Sequence, residues 1–222
     1  MTHAKVWDLP IRLFHWLMVT LLGLLWWSAE TGEMQWHQVF AYSLMALLLF
    51  RVFWGFVGSD TARFAHFLHH PLTVVEYAKK TVSKGVKGHH GHNPLGGYMV
   101  LALLLCLALQ LISGLFATDE VFTEGPLVSM VSSDTASWMT WLHKRNFDLL
   151  LILAAVHVLA VVWHLLKGDK LLGAMVTGRR HRDDIEVKLD IRFAPLWKAA
   201  ILLVLVALPI GYLLLWPAIQ AL

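Results

Sequence analysis

Five long apolar runs limit what this chain can fold into more than any other feature. Each run approaches the roughly 20 residues that an α-helix needs to cross the hydrocarbon core of a bilayer. The runs cover residues 11–28, 36–57, 95–117, 147–166 and 196–216. Only 15% of the residues are charged, whereas soluble domains carry about 25%. The sequence therefore predicts an all-α integral membrane protein with five transmembrane helices.

The basic residues are unevenly distributed between the two sides that alternating helices define. All Lys and Arg residues except Lys144 and Arg145 lie near the N-terminus, around the second loop, or between the fourth and fifth helices. The positive-inside rule places these segments in the cytoplasm. This predicts a membrane protein with its N-terminus in the cytoplasm and, given five helices, its C-terminus on the outer side. Lys144 and Arg145, on the outer side, require a local anionic partner.

The net charge of +3 does not indicate a nucleic-acid partner. The basic segments lie where the anionic lipids of the inner leaflet attract them. Membrane lipid is therefore the partner that the charge pattern predicts.

Four histidines lie within or beside the predicted helices at depths that match in pairs. His143 and His157 are 14 residues apart, which gives nearly the same helix face and a rise of about 21 Å. His15 lies one turn into the first helix from its cytoplasmic end, and His37 opens the second helix on the outer side. The sequence predicts an outer pair, His37 with His143, and an inner pair, His15 with His157.

Each pair suits the axial ligation of a haem held between helices. Bis-histidine ligation satisfies two imidazoles that are costly in hydrocarbon, and the apolar ring fills the gap between helices. A single intramembrane histidine is often a hydrogen-bonded contact between helices, but two matched pairs weaken that interpretation. Zinc fits less well because no Cys, Asp or Glu ligands adjoin the pairs. Cys106 is the only cysteine and no C-x-x-C-H motif is present, so the haem would not be covalently attached.

His164 is a second candidate for the inner pair. It follows His157 by seven residues, again on nearly the same face, and depth alone does not choose between them. The apolar residues on both sides of His157 favour it, whereas His164 reaches the interface. His164, together with His92 and Asn93 beside the third helix, is also a candidate for the surroundings of the inner haem or for a quinone pocket.

Four cations are candidates for contacts with haem propionates. Arg12 precedes His15 by about one turn, and Arg51 returns to the face of His37 at the inner level. Lys144 and Arg145 adjoin His143 on the outer side. The alternative for each is a cation that extends to the membrane interface without a cofactor.

The chain resembles the prokaryotic cytochrome b561 family, which includes the b-type cytochrome subunits of nickel–iron hydrogenases. The resemblance covers about residues 5–180. Among the motifs that carry it are VWDLPIRLFHW, WHQVF, HNPLGGY and LHKRNFDLLLILAAVHV. It implies a four-helix transmembrane bundle that holds two b haems, with His15, His37, His143 and His157 as ligands, and it favours His157 over His164.

The resemblance also implies a division of the chain. A four-helix core would occupy residues 1–180, with a cytoplasmic loop at about 58–94. A cytoplasmic linker and the fifth transmembrane helix would follow at 181–222. The fifth helix is present in some relatives and absent in others.

Members of this family typically pass electrons between membrane quinone and a periplasmic c-type cytochrome or an oxidoreductase subunit. The resemblance implies that function here, and a superoxide:quinone oxidoreductase without a protein partner is the alternative. An acidic outer loop favours a basic cytochrome over superoxide, and it contains Asp119, Glu120, Glu124 and Asp134. A third hypothesis is a metal transporter or helix-packing anchor that uses the histidines without haem.

Overall fold

A computed structural model describes residues 3–84, 89, 91–119, 123–181, 185 and 191–222, without the side chains of 82–84. Glu120 of the acidic loop lies outside the described residues. So do parts of the predicted cytoplasmic loop and of the linker that precedes the fifth helix.

Helices dominate the described residues, and five helical segments have the length and apolar composition to cross a membrane. The elements in chain order are β1 (His3–Lys5), α1 (Leu9–Thr31), α2 (Met34–Val57), a 3-10 turn (Asp60–Ala62), α3 (Phe64–Phe67), α4 (Pro71–Lys84), α5 (Pro94–Leu115), a 3-10 turn (Val128–Met130), α6 (Ser133–Leu166), α7 (Leu171–Thr177), β2 (Arg179–His181), α8 (Leu196–Ile210), a π-helical turn (Gly211–Leu215) and α9 (Trp216–Gln220). The five candidate spans are α1, α2, α5, α6 and the segment from α8 through α9. The prediction of an all-α membrane protein with five spans is confirmed.

The fourth span, α6, begins at Ser133 rather than at residue 147. The N–H of Thr135 donates to the hydroxyl of Ser132 (3.3 Å), and Asp134 lies in the first turn. A side-chain cap and an acidic first turn stabilise a helix start. The first turns of α6 are too polar to be recognised as part of a span by hydropathy, and His143 therefore lies inside a continuous helix.

A two-stranded antiparallel sheet adds an element that the apolar pattern does not predict. β1 pairs with β2, with His3 opposite His181 and Lys5 opposite Arg179. The pairing continues as the N–H of Val6 donates to the carbonyl of Gly178 (2.8 Å). This sheet holds the segment before α1 against the segment after α7.

The chain divides into two compact units. Unit 1 comprises Met1–His15, Arg51–Ala102 and Ala154–Leu202, and unit 2 comprises Trp16–Phe50, Leu103–Leu153 and Leu203–Leu222. Each unit therefore contains one of the predicted histidine pairs: unit 1 includes His15 and His157, and unit 2 includes His37 and His143.

Within unit 1, a buried carboxylate fixes the start of α1. Asp8 accepts a hydrogen bond from the N–H of Ile11 (2.8 Å) and another from Nε1 of Trp54 (3.0 Å). Asp8 and Trp54 are both buried. The cap therefore orients the first turns of α1, which carry Arg12 and His15.

Within unit 2, the C-terminal segment packs against α2. Val39, Tyr42 and Ala218 form a buried cluster, with Leu214 and Leu215 against it. The fifth candidate span therefore contributes to the core of the unit that contains His37 and His143.

Candidate functional site

The structure brings His37 and His143 together in unit 2. Their ring centroids are 6.4 Å apart. Two imidazoles that ligate one metal from opposite sides have centroids about 6.3 Å apart, given metal–nitrogen bonds of about 2 Å. The spacing of these two rings therefore fits a bis-histidine metal site.

The hydrogen bonds of both rings set the tautomer that metal ligation requires. Nδ1 of His37 lies 3.0 Å from the carbonyl oxygen of Leu25, and Nδ1 of His143 lies 2.9 Å from that of Gln110. A carbonyl oxygen only accepts, so each Nδ1 donates its proton. Each Nε2 then carries a lone pair, as in metal-ligating histidines held by a partner on the other nitrogen.

Small and polar residues on α5 shape the surroundings of His143. Ser113 places its hydroxyl oxygen 3.2 Å from Nδ1 of the ring. A Cβ added at Gly114 would lie 3.0 Å from the ring's Cε1 atom. The amide nitrogen of Gln110 lies 3.2 Å from Nε2, and Asn146 donates to the Gln110 amide oxygen (2.7 Å). A metal bound at Nε2 would therefore require the Gln110 amide to move.

These neighbours of the rings were missed by sequence reasoning. The only feature of the sequence that could have pointed to them is that each is a polar or small residue within an apolar run. Ser28, fully buried, contacts Nδ1 of His37 (3.2 Å), just as Ser113 contacts that of His143. No spacing rule links a serine to a histidine on another helix, so the contacts emerge only in the fold.

In unit 1, His15 and His157 are close enough to interact electrostatically. His92 interacts with both, and its ring lies 4.6 Å from that of Trp7 and 4.8 Å from that of Phe67. Burial, aided by the neighbouring positive charge, lowers the pKa of His92 to about 3. His92 is therefore neutral at physiological pH, beside the predicted inner ligands.

Unit 1 contains buried side-chain nitrogen atoms that have no hydrogen-bond partner among the described residues. Among them are Nε of Arg12, Nη1 of Arg51 and Nδ1 of His92. Arg51 is 2% exposed, and a buried N–H group of a guanidinium that lacks an acceptor is unfavourable. Two carboxylates, such as the propionates of a haem, have the charge and the acceptor atoms that this group of residues requires.

The family model of prokaryotic cytochrome b561 matches residues 6–178. The chain belongs to this family. Comparisons with curated proteins and with solved structures found no match. The matched residues include the first four candidate spans, and the C-terminal span lies beyond them. This prokaryotic cytochrome b561 is therefore a multi-pass membrane protein that transfers electrons across the membrane by b-type haem.

Two other candidate residues of this cytochrome have partners within the chain. Arg145 pairs with Asp148 (3.3 Å), with both side chains more than half exposed, which supplies the local anionic partner that its position requires. Asn93 accepts a hydrogen bond from the N–H of Gly96 (2.7 Å) and caps α5. Lys144 is exposed. Propionate contacts for Lys144 and Arg145, and a place near quinone for Asn93, stay predictions.

His164 has a partner that the sequence reasoning did not find. Its Nδ1 lies 3.0 Å from Oδ2 of Asp169, and Oδ1 of Asp169 pairs with Arg180. His164 therefore contacts the buried ion pair that Asp169 and Arg180 form in this cytochrome.

Proposed function

We propose that this prokaryotic cytochrome b561 binds two b haems, one in each unit, and carries electrons between membrane quinone and a periplasmic redox partner. His37 and His143 ligate the haem of unit 2, and His15 and His157 ligate the haem of unit 1. The 6.4 Å separation of the His37 and His143 rings carries the proposal, because it fits two axial ligands on one iron.

The polar groups of unit 1 support the second haem. Arg12 and Arg51 donate to its propionates through the buried nitrogen atoms that have no partner among the described residues. His92 lies beside the same histidine pair as a neutral hydrogen-bonding group. When bound, the haem supplies the one-electron chemistry, while these residues set its charge environment and exclude water.

The acidic outer segment supports a basic protein partner. Asp119, Glu124 and Asp134 are exposed, and all three belong to unit 2. Negative surface charge attracts a basic c-type cytochrome and repels the superoxide anion. A periplasmic c-type cytochrome or oxidoreductase subunit is therefore favoured over the superoxide reaction.

Haem content and absorption spectra of the purified full chain test the ligand assignment. We expect two haems per chain and the reduced α-band of bis-histidine b haem. His37→Ala and His143→Ala should each retain only the haem of unit 1. His15→Ala and His157→Ala should each retain only the haem of unit 2.

His164→Ala provides the matched control because it removes another histidine from the same helix. It should retain both haems. Loss of a haem in His164→Ala, with two haems retained in His157→Ala, would reverse the assignment in unit 1. A wild-type chain without haem absorption would contradict the whole proposal.

The electron partners are tested on the same preparation. A short-chain hydroquinone should reduce the haems, and an oxidised basic c-type cytochrome should reoxidise them, more slowly at high ionic strength. Rapid reduction by superoxide, with no reaction with the cytochrome, would instead favour the superoxide:quinone oxidoreductase.

A further inference from the structure

Two serines of unit 2 contact the proposed haem ligands in the same way. The hydroxyl of Ser28 in α1 donates to the carbonyl of Leu25 (3.1 Å). Nδ1 of His37 in α2 lies 3.0 Å from the same carbonyl oxygen and 3.2 Å from the Ser28 hydroxyl oxygen. Ser28 is fully buried, so its hydroxyl is shielded from water. The imidazole nitrogen, the hydroxyl oxygen and the carbonyl oxygen therefore form a buried triangle of polar atoms.

The second copy of this triangle joins α5 to α6. The hydroxyl of Ser113 donates to the carbonyl of Gln110 (3.0 Å). Nδ1 of His143 lies 2.9 Å from that carbonyl oxygen and 3.2 Å from the Ser113 hydroxyl oxygen. Ser113 is also fully buried. The corresponding distances in the two copies differ by no more than 0.1 Å, so the two proposed ligands of one haem have the same surroundings at Nδ1.

Ordinary hydroxyl bonding within a helix does not account for this arrangement. A serine or threonine in a membrane helix often donates to a preceding carbonyl, and Thr20, Thr31 and Ser43 each donate to the carbonyl four residues earlier. Ser28 and Ser113 donate instead to the carbonyl three residues earlier, which is the one that the histidine contacts. Each hydroxyl therefore bonds within its own helix and also faces an imidazole of the next helix.

The single proton of each serine hydroxyl fixes the direction of these hydrogen bonds. A carbonyl oxygen only accepts, so it receives both the hydroxyl proton and the Nδ1 proton. The hydroxyl oxygen then offers only lone pairs to Nδ1. Each Nδ1–H group therefore has two acceptors, one carbonyl oxygen and one hydroxyl oxygen, and the lone pair for iron stays on Nε2.

We infer that Ser28 and Ser113 are positioning residues that orient the two axial ligands and lower the midpoint potential of the haem of unit 2. The inference rests on the proposed ligation by His37 and His143 and deepens it. Acceptors at Nδ1 make the ligating nitrogen more basic. A more electron-rich ligand stabilises ferric iron more than ferrous iron, since ferric iron carries the larger charge, and hydrogen bonds around the ligands are one of the means by which a protein sets a haem potential. The two serines thus control how readily this haem accepts an electron.

Potentiometric titration of the purified haem-loaded chain, followed by absorption, tests the inference. Ser28→Ala and Ser113→Ala each remove one of the two acceptors of an Nδ1–H group and should raise the midpoint potential of the unit 2 haem. The net strength of one hydrogen bond predicts an increase of about threefold to tenfold in the ratio of ferrous to ferric haem at a fixed applied potential. This factor equals a shift of about 30–60 mV for one electron. The double variant should shift further than either single variant.

The His15→Ala background isolates the haem of unit 2, because this variant should retain only that haem. The same serine substitutions should raise its potential by the same amount. Ser43→Ala is the matched control in both backgrounds. Ser43 also lies in unit 2 and donates to a helix carbonyl, that of Val39 (2.8 Å), but this carbonyl is not shared with a proposed ligand. Its loss should leave the potential unchanged.

Ser28→Cys and Ser113→Cys separate hydrogen bonding from packing. A thiol fills nearly the same space as the hydroxyl but is a weak donor and a weak acceptor. The potential should therefore stay raised in both variants. A return to the wild-type potential would show that the serines only fill space, which would overturn the inference. The cysteine variants also decide the question for any serine whose alanine variant fails to hold the haem.

Transfer of haem to excess apomyoglobin measures how well the ligands are held. Loss of a partner that orients a metal ligand weakens metal binding about 10–100-fold. The haem of unit 2 should therefore leave the alanine variants about 10–100 times faster than it leaves the Ser43→Ala control. Faster transfer with an unchanged potential would mean that the serines only hold the fold together, and it would overturn the inference.

The outcomes distinguish this inference from the ligand assignment on which it rests. A haem in the His15→Ala background whose potential does not respond to Ser28→Ala or Ser113→Ala would overturn the inference alone. Retention of both haems in His37→Ala and in His143→Ala would overturn the ligand assignment and the inference together. In the wild-type background, an unchanged potential of the unit 1 haem shows that each serine variant is folded.

Discussion

At the scale of single residues, the position of the His143 ring depends on the small residue that packs beside it, Gly114. A Cβ at Gly114 would approach Cε1 and Nδ1 of the ring to 3.0 and 3.3 Å. These distances require the ring to shift by a few tenths of an ångström even for alanine. Since the ring is also held at Nδ1 by the Gln110 carbonyl, the shift competes with its tautomer-setting hydrogen bond.

We expect Gly114→Val to lose the haem of unit 2 and to retain that of unit 1, because the branched side chain displaces the His143 ring. Haem content per chain should fall to about half. Gly23→Val is the control, since nothing lies within 4 Å of a Cβ added at Gly23. Full haem content in Gly114→Val, with an unchanged spectrum, would show that the ring position does not govern binding.

The sequence predicts the histidine pairing far better than it predicts the surroundings of the rings. His143 and His157 are related by the helical repeat, which is a local property of one segment. Ser28 and Ser113 contact rings carried by other helices, and Asp169 pairs with Arg180 across a turn and α7. Such contacts depend on packing between segments, which no single-segment pattern encodes.

At the scale of elements, the start of α1 depends on one buried carboxylate. Asp8 caps the helix through Ile11 and accepts a hydrogen bond from Trp54. It also interacts electrostatically with Arg51, so its charge offsets that of a buried guanidinium. One residue thereby connects α1 and α2 within unit 1.

We expect Asp8→Ala to destabilise the chain by about 1–3 kcal/mol, because a cap contributes about 1 kcal/mol and a buried hydrogen bond about 1 kcal/mol more. Thermal unfolding of the detergent-solubilised protein measures the change, and loss of the unit 1 haem should precede global unfolding. Asp148→Ala removes only an exposed ion pair with Arg145 and should change stability by less than about 1 kcal/mol. Equal effects of the two substitutions would exclude the capping role.

Element boundaries show where hydropathy succeeds and where it fails. α2 ends at Val57, as the second apolar run predicts, because the apolar residues and the helix end at the same position. α6 extends 14 residues towards the N-terminus beyond the fourth apolar run, because capping and helical propensity continue the helix through polar residues. The strands β1 and β2 are three residues each and are too short to show an alternating pattern.

At the scale of the whole molecule, the distribution of Lys and Arg predicts the orientation in the membrane. The exposed Lys79 of α4 represents the basic side, and the exposed Asp134 represents the acidic side. With five spans, the exposed Ala221 near the C-terminus should share the side of Asp134. The positive-inside rule predicts that this side is periplasmic.

Single cysteine substitutions test this orientation, because the chain contains only Cys106, which is buried within α5. In intact cells, a membrane-impermeant maleimide should label Asp134→Cys and Ala221→Cys. Lys79→Cys should react only after the membrane is permeabilised, and the unsubstituted chain should show the background of Cys106. Labelling of Lys79→Cys alone in intact cells would invert the topology. Labelling of Asp134→Cys without Ala221→Cys would mean that the segment from Leu196 to Gln220 does not cross the membrane, which would confine the transmembrane part to the four spans that the family match includes.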